Sequence, residues 1–199
     1  MSLGHALRRI AEEYPLARLE PPANHPLGWV IRRGAPDELR RLLGPQAGLL
    51  VKGSAGRGSR WAAVPWIAVF DPGVTTSATR GYYLVYLFPA DREAVHLSLA
   101  QGTVAAIREH GPGAQASLRA SGHGLRAALS DFAERLPERA IRLGTEGDLP
   151  GGYEAAHILG LTYGLDDLGD ERRLTEDLAA GLSAYRALRA RGGLAAVPG

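Results

Sequence analysis

The chain has 199 residues, 45% of them hydrophobic and none of them cysteine. That is enough to bury one substantial core without staples, and it excludes a disulfide framework or a thiolate metal site. The formal charge is +2 and the isoelectric point near 9.1, but Lys52 is the sole lysine and the Ala-, Gly-, Arg- and Pro-rich mix is what GC-rich codons produce. Basicity alone therefore identifies no polyanion partner, and the placement of the arginines has to do so. No run approaches the roughly 18 apolar residues a membrane helix needs. The opening MSLGHALRRIAEEYP is amphipathic rather than a charged-then-apolar signal. The expectation is a cytoplasmic chain with no membrane partner.

Leu3, Leu7, Ile10, Ala11 and Tyr14 recur at helical spacing behind Ser2, a good N-cap, and predict a first helix that Pro15 ends. Residues 20–35 are Pro-rich and read as irregular. Pro36 to Leu43, with Pro in the first turn and Gly44 behind it, reads as a short helix, and Leu49 to Val51 as a short strand. Three stronger strand signals follow: Trp66 to Phe70, Tyr82 to Phe88 and Ala94 to Leu99. They are separated by the turn formers of DPGVTTSATRG and PADRE, and predict an antiparallel meander over about 66–99.

Beyond Gly102 the period becomes helical. Helices are expected at about 103–110 and 124–135, the second set off by the breakers of SGHG, with a short strand at Ala140 to Leu143 returning to the sheet. Tyr153 to Tyr163 reads as a helix, and Leu174, Leu178, Leu182, Tyr185 and Leu188 form the apolar stripe of the last one. The expected fold class is α+β, a central and mostly antiparallel sheet packed by N- and C-terminal helices, in one domain over residues 1–190. Residues 191–199 lack any period and read as a flexible tail or the start of a linker.

The stretch VKGSAGRGSRWAAVPW, residues 51–66, fits a phosphate cradle, a base-stacking platform or a plain hairpin turn. A P-loop needs its lysine after the last glycine, but Lys52 precedes Gly53. The glycine spacing is wrong for a Rossmann turn, and a strand rather than a helix follows. Leu50 occupies the place where the common nuclease core carries an acid. His5, His25, His96, His110, His123 and His157 stand singly, which argues against a zinc site. Ser54 lacks the strand-to-helix elbow of a nucleophile, and Asp166, Asp167 and Asp170 read as an acidic turn capping a helix, with an ion site as the lesser alternative.

Strand alternation puts Tyr83, Val85 and Leu87 on one face and Tyr82, Leu84, Tyr86 and Phe88 on the other. Both faces are apolar, as in a central strand packed on two sides. The strand opening at Trp66 is the expected hairpin partner, and it begins beside the basic, glycine-rich loop. A flat aromatic, a phenol and a leucine next to arginines suit a planar heterocycle.

The succession KGSAGRGSRWAAVPWIAVF, TRGYYLVYLF, VHLSLAQG, GGYEAAHILGLTYG and DLAAGLSAYRAL resembles the N-terminal DNA-binding domain of McrB-type modified-cytosine restriction proteins over nearly the whole chain. The Gly-x-Gly loop before Pro-Trp and the Gly-Tyr-Tyr strand are its most specific parts. The resemblance implies a reader that binds double-stranded DNA, rotates a modified cytosine (5-methylcytosine or similar) out of the stack and sandwiches it between aromatics. Such a reader targets a type IV restriction system whose nuclease or NTP-driven motor lies on a longer chain or another subunit, and it needs no cofactor and no catalytic residue of its own. By motif, the base pocket falls on Trp66, Tyr83 and Leu87. The wedge that fills the vacated space falls on Arg57, where the best-known member has an aromatic in a loop one residue shorter, so Arg60 and Trp61 stay open as alternatives. Lys52, Ser54, Gly56, Gly58 and Ser59 are the accompanying phosphate contacts. Two other classes remain open: a small-molecule or nucleotide-binding enzyme using the glycine-rich loop, and a protein-interaction module whose aromatic strand is only core.

Overall fold

The computed structural model describes residues 1–91 and 93–196. Helix α1 spans Leu3–Ala17; Ser2 Oγ accepts from the His5 N–H, and Leu3, Leu7, Ile10 and Tyr14 are buried. The helix does not stop at Pro15. A proline this near the end removes a single hydrogen bond, the Arg18 N–H still closes on the Tyr14 carbonyl at 3.1 Å, and burial of Tyr14 and Ala17 holds the last turn.

The segment expected to be irregular is also helical from Pro26. Helix α2 (Pro26–Trp29) passes through a π turn (Val30–Gly34) into α3 (Ala35–Leu43), which ends at Gly44 with φ 75°. The His25 ring accepts from the Leu27 N–H at 3.2 Å. Its buried residues, Leu27, Val30, Ile31, Ala35 and Leu39, do recur at helical spacing, but the interspersed Pro26, Gly28, Gly34 and Pro36 mask the period.

Five strands make one antiparallel sheet in chain order: β1 (Leu50–Arg57), β2 (Arg60–Phe70), β3 (Tyr82–Leu87), β4 (Ala94–Gln101) and β5 (His157–Gly164). The α+β class and the meander are as expected, the short strand expected at Leu49 to Val51 is the start of β1, and β5 is added at the other end. β1 continues from there through residues 52–57, which read as a loop in the sequence. β5 replaces the second half of the helix expected at Tyr153 to Tyr163: helix α6 (Asp148–Ala156) stops at His157, and the chain pairs with β4. The apolar run suits either conformation locally, but without β5 the buried β4 would leave a row of backbone groups unpaired.

Between them lie α4 (Thr103–His110) and α5 (Ala114–Ala128). α5 begins ahead of the expected 124–135 and runs straight through SGHG. Gly122 is buried there, where the helix packs beside Gln101. The segment 140–143 is not a strand; Glu138 and Gly160 exchange a single pair of 3.1 Å bonds at the outer edge of β5.

Helix α7 (Glu171–Ala190) is capped by Asp170, which accepts from the Arg173 N–H at 2.9 Å, while Asp167 accepts from the Gly164 N–H and pairs with Arg173 at 2.6 Å. The acidic turn is thus engaged in capping. α7 lies over the sheet face carrying Tyr82, Leu84 and Tyr86: Gly181 rides on Leu84, Tyr185 meets Tyr82 edge-on at 5.6 Å, and Tyr163 donates to the buried Asp177. Of the tail, Arg191 pairs with Asp131 at 2.7 and 2.8 Å and Gly193–Ala196 form a 3-10 turn. Residues 197–199 lie outside the described residues. Among the described residues no helix is long and apolar enough to cross a membrane.

Candidate nucleic-acid interface

On the sheet face away from α7, the register sets Trp66 directly opposite Leu87 in β3 and opposite Ser54 in β1. Val85 and Tyr83 follow on the same face, and Tyr83 faces Ala100 of β4. The three expected pocket residues therefore come together. They line a slot with Val85, Gln101 and Tyr153 of α6. Trp66 is half-buried, whereas Tyr83 and Leu87 are each 3% exposed. The Tyr83 ring lies 5.3 Å from that of Phe70, its hydroxyl donates to the Ala78 carbonyl at 3.2 Å, and burial pushes its pKa far up. The Tyr153 phenol is raised by burial too, with its hydroxyl engaging the Trp66 side chain. The free volume left is about 10 Å³, roughly what one water needs, so in this conformation the slot is shut by α6.

The glycine-rich stretch is the hairpin beyond this slot. Ser54 pairs with Trp66 but Gly56 pairs with Trp61, so Ala62 to Pro65 bulge opposite Ala55 alone. Tyr14 fills the bulge and donates to the Ala62 carbonyl at 2.7 Å. Gly56 has φ 119°, and a Cβ there would lie 2.1 Å from the Arg60 carbonyl oxygen, so the bulge demands glycine. Gly58 and Ser59 make the turn, and Arg57 faces Arg60 across it. Both arginines are exposed and join no ion pair among the described residues.

Trp61 sits differently from those arginines. It packs edge-on against Tyr14 at 5.4 Å and His25 at 5.2 Å, and its indole donates to the Glu20 carbonyl at 2.8 Å. Lys52 does not join the tip either. It lies five residues back along β1, roughly 16 Å at strand rise, where its ammonium donates to the Thr76 carbonyl and lies 5.8 Å from the Phe70 ring centroid. Gly56, Gly58 and Ser59 stay at the tip, and Ser54 stands beside Trp66 at the slot.

Sequence reasoning missed Tyr153 and Gln101, which reach the slot from elements distant in the chain, and Tyr14, which supports the hairpin from α1. No local pattern marks them. A larger cavity, about 240 Å³, lies under the end of α5 near Leu136 and Leu159. Its Arg126 is already bonded to the carbonyls of His157 and Ile158 at 3.1 and 3.3 Å. Among the described residues no group of three or more His, Asp or Glu is arranged to hold a metal ion.

Fold and site together define an α+β domain in which an antiparallel meander carries an aromatic slot behind a basic hairpin. The chain belongs to the MrcB-like, N-terminal domain family, whose model matches residues 9–190. No curated protein and no solved structure matches it significantly. Membership fits a DNA-binding module of a restriction system rather than a catalytic domain.

Proposed function

We propose that this domain reads modified cytosine in duplex DNA by flipping the base into the slot between Trp66 and Tyr83, and so targets a restriction activity carried by another domain or subunit. The observation that carries this reading is an adjacency: the aromatic slot lies at the base of a hairpin whose tip presents two exposed arginines. Arg57 and Arg60 enter or grip the duplex, the base leaves the stack, and Tyr153 swings aside to admit it. Extrusion costs a few kcal/mol, and each base–aromatic stack returns about 1–3 kcal/mol, so Trp66 and Tyr83 roughly offset it. Phosphate contacts supply the remaining affinity. A buried methyl adds only about 0.8 kcal/mol, so discrimination by this domain alone is modest.

The test is titration of the chain with matched duplexes carrying unmodified, methylated or hydroxymethylated cytosine. The expected result is salt-sensitive binding to all, tightest to a modified duplex. Equal affinities would sink the modified-base reading, and no binding at low salt would sink DNA recognition altogether.

A further inference from the structure

The Trp29 indole is 60% exposed. It ends α2 at the rim of an open groove of about 420 Å³ that Asn24, His25, Arg32 and Arg33 also line. Both arginines are exposed and neither joins an ion pair among the described residues. The carboxylates around them are engaged elsewhere: Glu20 faces His25 at 3.5 Å, Asp37 pairs with Arg40, and Glu38 with Arg41 at 2.9 Å.

Trp29, Arg32 and Arg33 line this one groove and so form one group. The π turn bears both arginines. The Ala35 N–H reaches back five residues to the Val30 carbonyl, and Pro36 has no N–H to offer the Arg32 carbonyl. Single π turns within α-helices recur at functional sites.

This group is fixed to the hairpin. A Cβ at Gly53 would lie 1.7 Å from the Ile31 carbonyl oxygen, so β1 passes directly against the π turn. On the other side, a Cβ at Gly28 would touch the Trp61 ring at 3.7 Å. Arg32 also lies within electrostatic reach of Tyr14, which holds the hairpin bulge. The Trp29 group and the Arg57–Arg60 tip are thus parts of one packed body, with arginines free of carboxylate partners at both ends.

Building on the DNA-binding reading above, we propose that Trp29, Arg32 and Arg33 form a second duplex anchor. The two arginines contact phosphates on one side of the flipped base, and Trp29 packs against the deoxyribose of the same strand. Anchoring there lengthens the footprint without reading sequence, because phosphate and sugar contacts position the duplex and do not specify bases.

The experiment compares the whole chain with Trp29→Ala and with Arg32→Ala/Arg33→Ala. The targets are a duplex extending a full turn on each side of the modified base, its unmodified counterpart, and two duplexes each shortened on one side. All three side chains are exposed, so both variants are expected to melt as the parent does. The double variant should bind the full modified and unmodified duplexes more weakly by one common factor. It should also flatten the slope of log affinity against log salt by about two units. Trp29→Ala should lose about fivefold or more, a loss that only a minority of interface residues reach. Both losses should vanish on one shortened duplex and persist on the other. Parental affinity and slope in both variants, or equal losses on the two shortened duplexes, would overturn the anchor. If the parent prefers modified DNA while the variants match it, only the anchor fails. If the variants weaken but the parent shows no preference, the anchor stands and the base-reading proposal fails.

Discussion

Trp66 and Leu87 stand directly opposite one another across the β2–β3 ladder, with Tyr83 four residues from Leu87 on the same face. The two rings differ in one respect that decides how to test them. Trp66 is half-buried at the mouth, whereas Tyr83 is buried, packed on Phe70 and hydrogen-bonded to Ala78. Trp66→Ala should therefore remain folded and weaken binding to modified duplex by about 1–3 kcal/mol. Tyr83→Ala is expected to destabilise the fold by about 3–5 kcal/mol, so Tyr83→Phe, which keeps the ring, is the better probe and should bind as the parent does. Thermal melts alongside fluorescence anisotropy check this, and a folded Trp66→Ala with parental affinity would remove Trp66 from the pocket.

Tyr153 closes the slot, and its hydroxyl engages the Trp66 side chain. Tyr153→Phe removes that contact, worth at most the roughly 0.5–1.5 kcal/mol of an ordinary hydrogen bond, and so lowers the cost of opening. Affinity for modified duplex should rise by about twofold to tenfold, and stopped-flow association should quicken. Weaker binding would make Tyr153 a base contact rather than a gate.

Arg57 and Arg60 face each other across the hairpin turn, yet distinct roles are expected of them. An arginine at the wedge can both stack and hydrogen-bond the orphaned guanine. Arg57→Ala should hurt binding to a paired modified duplex more than to one in which the target faces an abasic site. Arg60→Ala should weaken both alike and flatten the salt slope by about one unit. Equal losses for Arg57→Ala on both substrates would pass the wedge role to Arg60, since Trp61 is held by Tyr14, His25 and Glu20.

His157 is 2% exposed; its Nε2–H donates to the Glu138 carbonyl at 3.0 Å and its Nδ1 accepts from Ser98 Oγ at 2.7 Å. Burial above all, then the charges of His96 and Arg126, lowers its pKa to about 4, against the partial opposition of the Glu138 bond. The unfolded chain titrates near the ordinary value of about 6.5, so between those two values the unfolded state holds the extra proton. Stability is full above about pH 6.5 and falls as the pH drops towards 4, by on the order of 3 kcal/mol from this residue. Chemical denaturation at pH 7 and pH 5 should show the loss, and a folded His157→Gln chain should lack that component. An identical acid dependence in the variant would assign it to other groups.

The sequence by itself determined the α+β class, the central antiparallel strands, the first and last helices, and the shared face of Tyr83 and Leu87. Each of these rests on local periodicity, of two in strands and about 3.6 in helices, which a linear reading detects. The glycines of the hairpin were visible, but not what each one serves. Gly53 admits the Ile31 carbonyl from a distant helical segment, and Gly56 turns the bulge against the facing strand of its own hairpin. Tertiary structure likewise overrode local preference at Pro15, at SGHG within α5, and at residues 157–163. In these places buried contacts, or a neighbouring strand in need of hydrogen-bond partners, outweigh the few tenths to few kcal/mol of local propensity. Only packing decided the site's boundaries. It brought Tyr153 over Trp66, set Trp61 into the support of the hairpin, and took Lys52 away from the tip, because the elements that meet there are distant in sequence and carry no shared local pattern.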